Sequence, residues 1–307
     1  MIVALSGGIG GAKLTLGLSR ILPGRDLLVV GNVGDDFEHL GLSISPDLDT
    51  LTYTLAGLDN PDLGWGRRDE TWSFMETLER LGGDTWFRLG DRDLALHVER
   101  TRRLKAGEAL SAITDEICRR LGVGPRIVPA SDEPVRTQVL TDTGWIGFQD
   151  YFVRQHTSPA VRALSFEGAD RARPHPEILR SIGQAEAIVI CPSNPFISID
   201  PILAIPGFRE ALNATSAPVI AVSPIIGGRA VKGPTAKIMA ELGQTPGARA
   251  VAEHYGTLLD GYVADIADAD ALSGLRPRLT LAPTLMTTLA DKEALARVVL
   301  NSAMALR

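Results

Sequence analysis

Residues 1–31 read MIVALSGGIGGAKLTLGLSRILPGRDLLVVG, and this stretch decides the fold. Ile2 to Leu5 is an apolar run of strand length, and Ser6 to Gly11 is a glycine-rich loop. Leu14, Leu16, Leu18, Ile21 and Leu22 predict a helix that Pro23-Gly24 closes. Leu27 to Val30 is a second buried strand, ending at Gly31-Asn32. A strand, a glycine loop, a helix and a second strand open a doubly wound parallel sheet, whose ligands bind at the carboxyl ends of its strands.

Leu51, Tyr53, Leu55 and Leu58 follow Pro46-Asp47 and cover one helical face. Asp69–Leu81, Asp91–Leu104 and Gly107–Leu121 read as three successive helices, a helical insertion over about residues 69–122. Thr137–Val153 predicts a β-hairpin turning near Asp142-Thr143-Gly144. The parallel pattern then resumes. AIVI at 187–190 runs into CPSNP, and VIAV at 219–222 runs into SPIIGG. Helices over 232–242 and 248–259 and a last strand over 261–266 complete the expectation. The whole is an α/β, Rossmann-like, mostly parallel sheet in one domain, residues 1–307, with an inserted helical lobe and a hairpin.

Composition narrows the function classes. The chain has 307 residues, 45% of them hydrophobic and 22% charged, which excludes a disordered or fibrous protein. No apolar run reaches the ~20 residues of a membrane helix, and Met1 leads straight into a strand without a signal-peptide pattern. Membrane partners are therefore not expected. The net charge of -6 argues against a nucleic-acid partner. Cys118 and Cys191 match no zinc spacing, and a reducing cytoplasm is the expected home.

Several loops carry chemistry. Gly7, Gly8, Gly10 and Gly11 precede a helix, where a phosphate can approach closely and meet the helix N-terminus. Lys13 stands where a dinucleotide fingerprint has its third glycine, and Asn32 where that fingerprint has a ribose-binding acid. The loop is thus an unusual phosphate site or a plain turn. Asp35, Asp36, Asp47 and Asp49 crowd one strand end. They either cap helices and stay solvated, or are neutralised by a hard cation such as Mg2+, which takes one or two carboxylates plus substrate phosphates. Asp93 and His97 have the spacing of a surface ion pair on a helix. Ser193, Asn194 and Ser223 offer uncharged hydrogen bonds from proline-fixed turns, and Lys232 and Lys237 offer cations near a helix start. Ordinary turn chemistry would explain either loop alone.

Taken in order, SGGIGGAKL (6–14), SPDLDTLTY (45–53), RLGDRDLALH (88–97), ASDEPVRTQV (130–139), FQDYFV (148–153), PSNPFISIDPIL (192–203), AVSPIIGG (221–228), AEHY (252–255) and TLM (284–286) resemble the 2-phospho-L-lactate transferase family. The resemblance spans nearly the whole chain. It implies a Rossmann-like enzyme that transfers a phospholactyl group from a guanosine-diphosphate-linked donor to a deazaflavin alcohol. GMP is released with Mg2+ present, in the synthesis of the deazaflavin coenzyme called factor 420. Some members use a phosphoenolpyruvate-derived or phosphoglycerate-derived donor.

By the resemblance, Asp49 and Arg88 fall at the deazaflavin-contacting positions. The loops carrying Gly8, Gly10, Gly11, Lys13, Ser193, Asn194, Ser223 and Gly227 would hold the nucleotide. Asp47 and Asp49 are the catalytic candidates, and Asp35, Asp36, Asp47 and Asp49 the metal candidates. A homodimer is the default expectation for a soluble enzyme. Two rivals are a non-catalytic sugar-nucleotide-binding regulator of the same superfamily and a nicotinamide dehydrogenase. The missing third glycine and Asn32 argue against the second.

Overall fold

The computed structural model describes residues 1–60, 65–231 and 233–307. At its centre lie seven parallel strands: β1 (Ile2–Ser6), β2 (Leu27–Gly31), β3 (Arg126–Pro129), β4 (Ala187–Ile190), β5 (Val219–Val222), β6 (Gly261–Ala264) and β7 (Arg278–Leu281). Their spatial order is β3-β2-β1-β4-β5-β6-β7. The order reverses between β1 and β4, which is the topological switch point where such sheets bind ligands. The register keeps the strand ends level, with Ser6 beside Gly31, Leu5 beside Ile190 and Val222 beside Val263.

The inner strands are buried along their whole length, so they read as unbroken apolar runs. The edge strands carry a different signature. RIVP in β3 and RLTL in β7 contain polar residues that meet solvent, and the apolar-run criterion misses both. Hence β6, expected as the last strand, is followed by one more.

Helix α1 (Gly8–Ile21) packs on the C-terminal helix Leu289–Met304. Gly17 permits the close crossing, because a Cβ there would lie 2.1 Å from the Lys292 carbonyl oxygen. Glycine to alanine inside a helix usually stabilises by about 1 kcal/mol. Here Gly17→Ala is expected to destabilise, by about 1–3 kcal/mol, because backbone rather than a flexible side chain must move. Chemical denaturation of the two proteins checks the sign.

The long crossover from β2 to β3 holds a short hairpin (Phe37–His39 and Leu42–Ile44), α2 (Pro46–Ala56), α3 (Ser73–Arg80), α4 (Asp91–Lys105) and α5 (Leu110–Arg120). The last three are the expected helical lobe. α3 and the start of α4 share a small core around Ile44, Met75 and Leu89, whereas α5 packs into the main core through Leu110 and Cys118. Reciprocal caps fix the lobe. Asp91 accepts from the Thr71 hydroxyl at 2.6 Å and the Phe74 amide at 3.0 Å, while Glu70 accepts from the amides of Arg92 and Asp93 at 2.8 and 2.9 Å. The expected hairpin forms as Arg136–Thr141 and Gly144–Gly147, and Ala163–Glu167 adds a third antiparallel strand.

Candidate functional site

At the switch point the loops after β1 and β4 are locked together. Ser193 Oγ donates to the Gly7 carbonyl at 2.7 Å and accepts from the Gly7 amide at 3.1 Å. A Cβ at Gly10 would sit 2.3 Å from the Pro192 carbonyl oxygen, and one at Gly11 would meet Ser6 Oγ and Ser193 Oγ. Contact between the two loops therefore accounts for Gly10 and Gly11, whereas Gly8, at φ 61°, answers to the left-handed conformation. Asn194 Oδ1 caps the following turn through the Phe196 amide at 3.0 Å, and its Nδ2 is buried without a partner among the described residues. Lys13 Nζ reaches the Met286 carbonyl at 2.9 Å, tying α1 to the TLM segment.

Asn32, read from the sequence only as a missing acid, is the hub of this end of the sheet. It is fully buried and donates to Asp35 Oδ1 (3.1 Å), Asp47 Oδ2 (2.8 Å) and the Ile197 carbonyl (3.2 Å). Asp47 Oδ1 in turn accepts from the Gly8 amide at 2.7 Å, so its carboxylate sits at the positive end of α1. Asp36 Oδ2 accepts from Ser45 at 2.8 Å, while its Oδ1 is buried and unpartnered among the described residues. Burial raises all three carboxyls. Asp36 is pushed up to about 7 and Asp47 to about 6, and the charge of Asp47 adds to the rise at Asp35.

Carboxyls raised in this way keep protons in the folded state that the unfolded chain has released. Their contribution to stability is then lost as pH rises from about 4 to about 7. Burial lowers the His39 pKa, which contributes in the opposite sense. The test is therefore the difference between wild type and Asp36→Asn. In EDTA, thermal midpoints of the wild type should fall more steeply from pH 5 to pH 8 than those of the variant.

Asp49 faces elsewhere. Both its oxygens accept from the guanidinium of Arg100, Oδ2 from Nη1 at 3.1 Å and Oδ1 from Nη2. His97 Nδ1 lies 3.7 Å from Asp49 Oδ2, and His97 Nε2 lies 3.1 Å from Asp93 Oδ2. The expectation of a surface pair at Asp93 and His97 is corrected, since His97 is only 1% exposed. Burial would raise the Asp93 carboxyl, but bonds and charge from His97, with the Tyr53 hydroxyl at 2.5 Å, hold it below its ordinary value. The sequence held a signal for this network. Asp93, His97 and Arg100 fall at i, i+4 and i+7 on α4, and Asp49 and Tyr53 at i and i+4 on α2, so each set shares a helix face.

Among the described residues, Asp49, Asp93 and His97 are the group whose ligand atoms lie within 4.8 Å of one another. Arg100 already neutralises Asp49, so a divalent cation there would face a fixed positive charge at close range. The group is a poor fit for a metal.

Arg88 is exposed at the edge of the lobe, its guanidinium 4.3 Å from the centre of the Trp72 ring. Trp72 and Asp93 line one recess together with Trp65, Arg67, Glu70 and Gly90. Arg88 and the Asp49 network thus border the same part of the lobe.

Beyond β5 and β6 opens a cleft of about 850 Å3, lined among others by Gly227, Gly228, Gln244, Arg249, His254 and Asp268. That volume suits a mononucleotide-sized ligand. The amides of Gly227 and Gly228 each donate to Asp268 at 3.0 Å, and Ser223 Oγ closes its own turn through Ile225. His254 Nε2 meets both oxygens of Asp200 at 2.8–2.9 Å, joining the cleft wall to the segment after β4. Lys237 is held by the Pro159 carbonyl and Glu241, each at 2.8 Å, and Lys232 lies outside the described residues. Among the described residues, no helix is long and apolar enough to cross a membrane.

A family model described as 2-phospho-L-lactate transferase CofD matches residues 2–278. The chain is 45% identical to a phosphoenolpyruvate transferase of Streptomyces griseus, with 98% of each protein covered. It is 41% identical to one of Mycolicibacterium smegmatis, covering 97% of this chain and 96% of that one. A crystal structure of a UPF0052 family member from Bacillus halodurans superposes with a TM-score of 0.64 at 16% identity, covering 97% and 98%. At that identity the likeness shows the fold alone.

Proposed function

The chain belongs to the 2-phospho-L-lactate transferase family, and on that premise we propose that it moves a phosphoenolpyruvyl group from a guanosine-diphosphate-linked donor to the ribityl hydroxyl of a deazaflavin, releasing GMP in factor 420 synthesis. The observation that carries the reading is the buried carboxylate pair at the switch point of the sheet, Asp47 bonded to the Gly8 amide of α1 and Asp35 joined to it through Asn32. A diphosphate presented there meets the helix dipole and, with a cation, a place for its charge.

Magnesium fits this corner better than the Asp49 group. Asp35 and Asp47 share a single Asn32 amide group, and both offer hard oxygen donors, which suits a cation that takes one or two carboxylates. Bound there, Mg2+ would screen the phosphates and stabilise charge on the leaving GMP. The protein's own residues do the rest. Asn194, with its unpartnered Nδ2, offers a donor to the nucleotide.

On the lobe side, Asp49 accepts a hydrogen bond from the acceptor alcohol while Arg88 on Trp72 fixes the ring. The alcohol oxygen forms a bond to the phosphorus bearing the enolpyruvyl ester. The phosphoanhydride bond breaks, GMP leaves with the electron pair, and the alcohol proton passes to solvent or to a nearby carboxylate. Positioning and electrostatics supply most of the rate.

The names of the relatives favour phosphoenolpyruvate as the acid. Transfer assays with phosphoenolpyruvyl, phospholactyl and phosphoglyceryl donors test this. The enolpyruvyl donor should show the highest kcat/KM. Nucleotide binding without turnover of any donor would favour the regulator instead.

A further inference from the structure

We propose that Arg100 is a positioning residue for this transfer, holding the Asp49 carboxylate in one orientation, and that Tyr53, Asp93 and His97 form the brace that holds Arg100. The inference rests on the functional reading above, in which Asp49 meets the acceptor.

Arg100 is 3% exposed and Asp49 6%, so the pair stands in a low-dielectric interior. Each oxygen of Asp49 takes one arm of the guanidinium, a two-point geometry that fixes the plane of the carboxylate as well as its position. The guanidinium is itself held. Nη1 lies 3.3 Å from His97 Nδ1 and 3.4 Å from the Ser43 carbonyl. Arginine has no acceptor, so His97 Nδ1 must accept and the imidazole proton resides on Nε2, facing Asp93. Tyr53 then donates to the other oxygen of Asp93 at 2.5 Å. The chain of contacts begins and ends on α2 and passes through α4, so the lobe is keyed to the helix that carries Asp49.

Stability is a weak reason for such a network. Buried ion pairs seldom hold helices together better than apolar residues of the same volume. The bonding is also incomplete, since Arg100 Nε and His97 Nε2 are both buried without a hydrogen-bond partner among the described residues, His97 Nε2 lying 3.1 Å from Asp93 Oδ2 outside hydrogen-bond geometry. What the arrangement secures is a charged carboxylate that cannot rotate, with lone pairs left on both oxygens for a substrate hydroxyl. Its chemical consequence is a division of labour. Asp49 aligns the acceptor, and the cation belongs with Asp35 and Asp47.

Arg100→Lys, Arg100→Gln and His97→Gln, with Asp49→Asn as reference, test the inference in the full-length enzyme. Each variant is assayed with acceptor and donor varied separately and by fluorescence titration of the deazaflavin, and thermal melts check folding. Arg100→Gln should lower kcat/KM for the acceptor by ~10²-fold, with donor KM within a few-fold. Arg100→Lys should recover part of it, and His97→Gln most of it, because an amide can accept from Arg100 as His97 Nδ1 does. Should Arg100→Gln fail to fold, Arg100→Lys still decides, through a selective acceptor defect of about tenfold at a near-native melting temperature.

Equal damage to donor and acceptor kinetics, or folded Arg100 variants with unchanged acceptor kinetics beside an impaired Asp49→Asn, would overturn the proposal. Wild-type protein that binds deazaflavin without transferring to it would overturn the functional reading, and the binding constants of the same variants would still decide this one. Failure to bind deazaflavin would overturn both.

Discussion

Asp47→Asn is expected to lower kcat by at least ~10²-fold, the usual scale for losing one electrostatic contact in a transition state. The residue has two fixed partners, the Gly8 amide on one oxygen and Asn32 Nδ2 on the other. Asparagine can satisfy only one of them, because its NH2 group must then face either an amide N–H or the NH2 of Asn32. The substitution removes a negative charge where the proposed cation binds and leaves two donors opposed. Chelation should have the larger effect. EDTA is expected to abolish transfer, and added Mg2+ to restore it in the wild type but only weakly in the variant. Full turnover after exhaustive chelation, or wild-type kinetics in Asp47→Asn, would leave helix capping as the sole role of this carboxylate.

The second large effect is expected at Arg88. An exposed arginine stacked on a tryptophan contributes about 1 kcal/mol or less to folding, so Arg88→Ala should scarcely move the melting temperature. If the guanidinium and the Trp72 ring form one wall of the acceptor site, its loss leaves the deazaflavin free to shift. Displacement of the alcohol by ~1 Å can cost ~10²-fold. KM for the acceptor should rise and kcat should fall, with donor KM within a few-fold. Arg88→Lys should recover part of the activity by keeping the charge while losing the planar stack. Steady-state kinetics with each substrate varied in turn decides it, and a defect confined to the donor would refute the assignment.

These expectations draw unevenly on sequence. The opening strand, glycine loop, helix and second strand were legible because β1 and β2 are buried on both faces and so lack polar residues. β3 and β7 were not, since an edge strand of four residues can carry Arg126 or Arg278 without cost. The four aspartates were visible as a crowd, but their division was not. Asp47 and Asp49 differ by two positions on a helix and therefore point about 200° apart, one toward Asn32 and the other toward Arg100.

The role of Asn32 is not legible in the sequence, because two of its three partners, Asp47 and the Ile197 carbonyl, lie 15 and 165 positions away. The burial of Arg100 is not legible either, because an arginine seven residues after Asp93 on a highly charged helix looks like any solvated side chain. Its burial follows from α4 packing beside the Leu42–Ile44 strand, a contact no periodicity announces.

The most direct measurement is a product balance over a single incubation. Purified protein, Mg2+, the deazaflavin and the guanosine-diphosphate-linked enolpyruvyl donor are combined, and acceptor and nucleotide are followed by mass spectrometry. The account predicts one GMP released for each deazaflavin that gains a phosphoenolpyruvyl group, with no product in EDTA. GMP released while the deazaflavin stays unmodified, or a deazaflavin that is neither bound nor altered with any of the three donors, would contradict it.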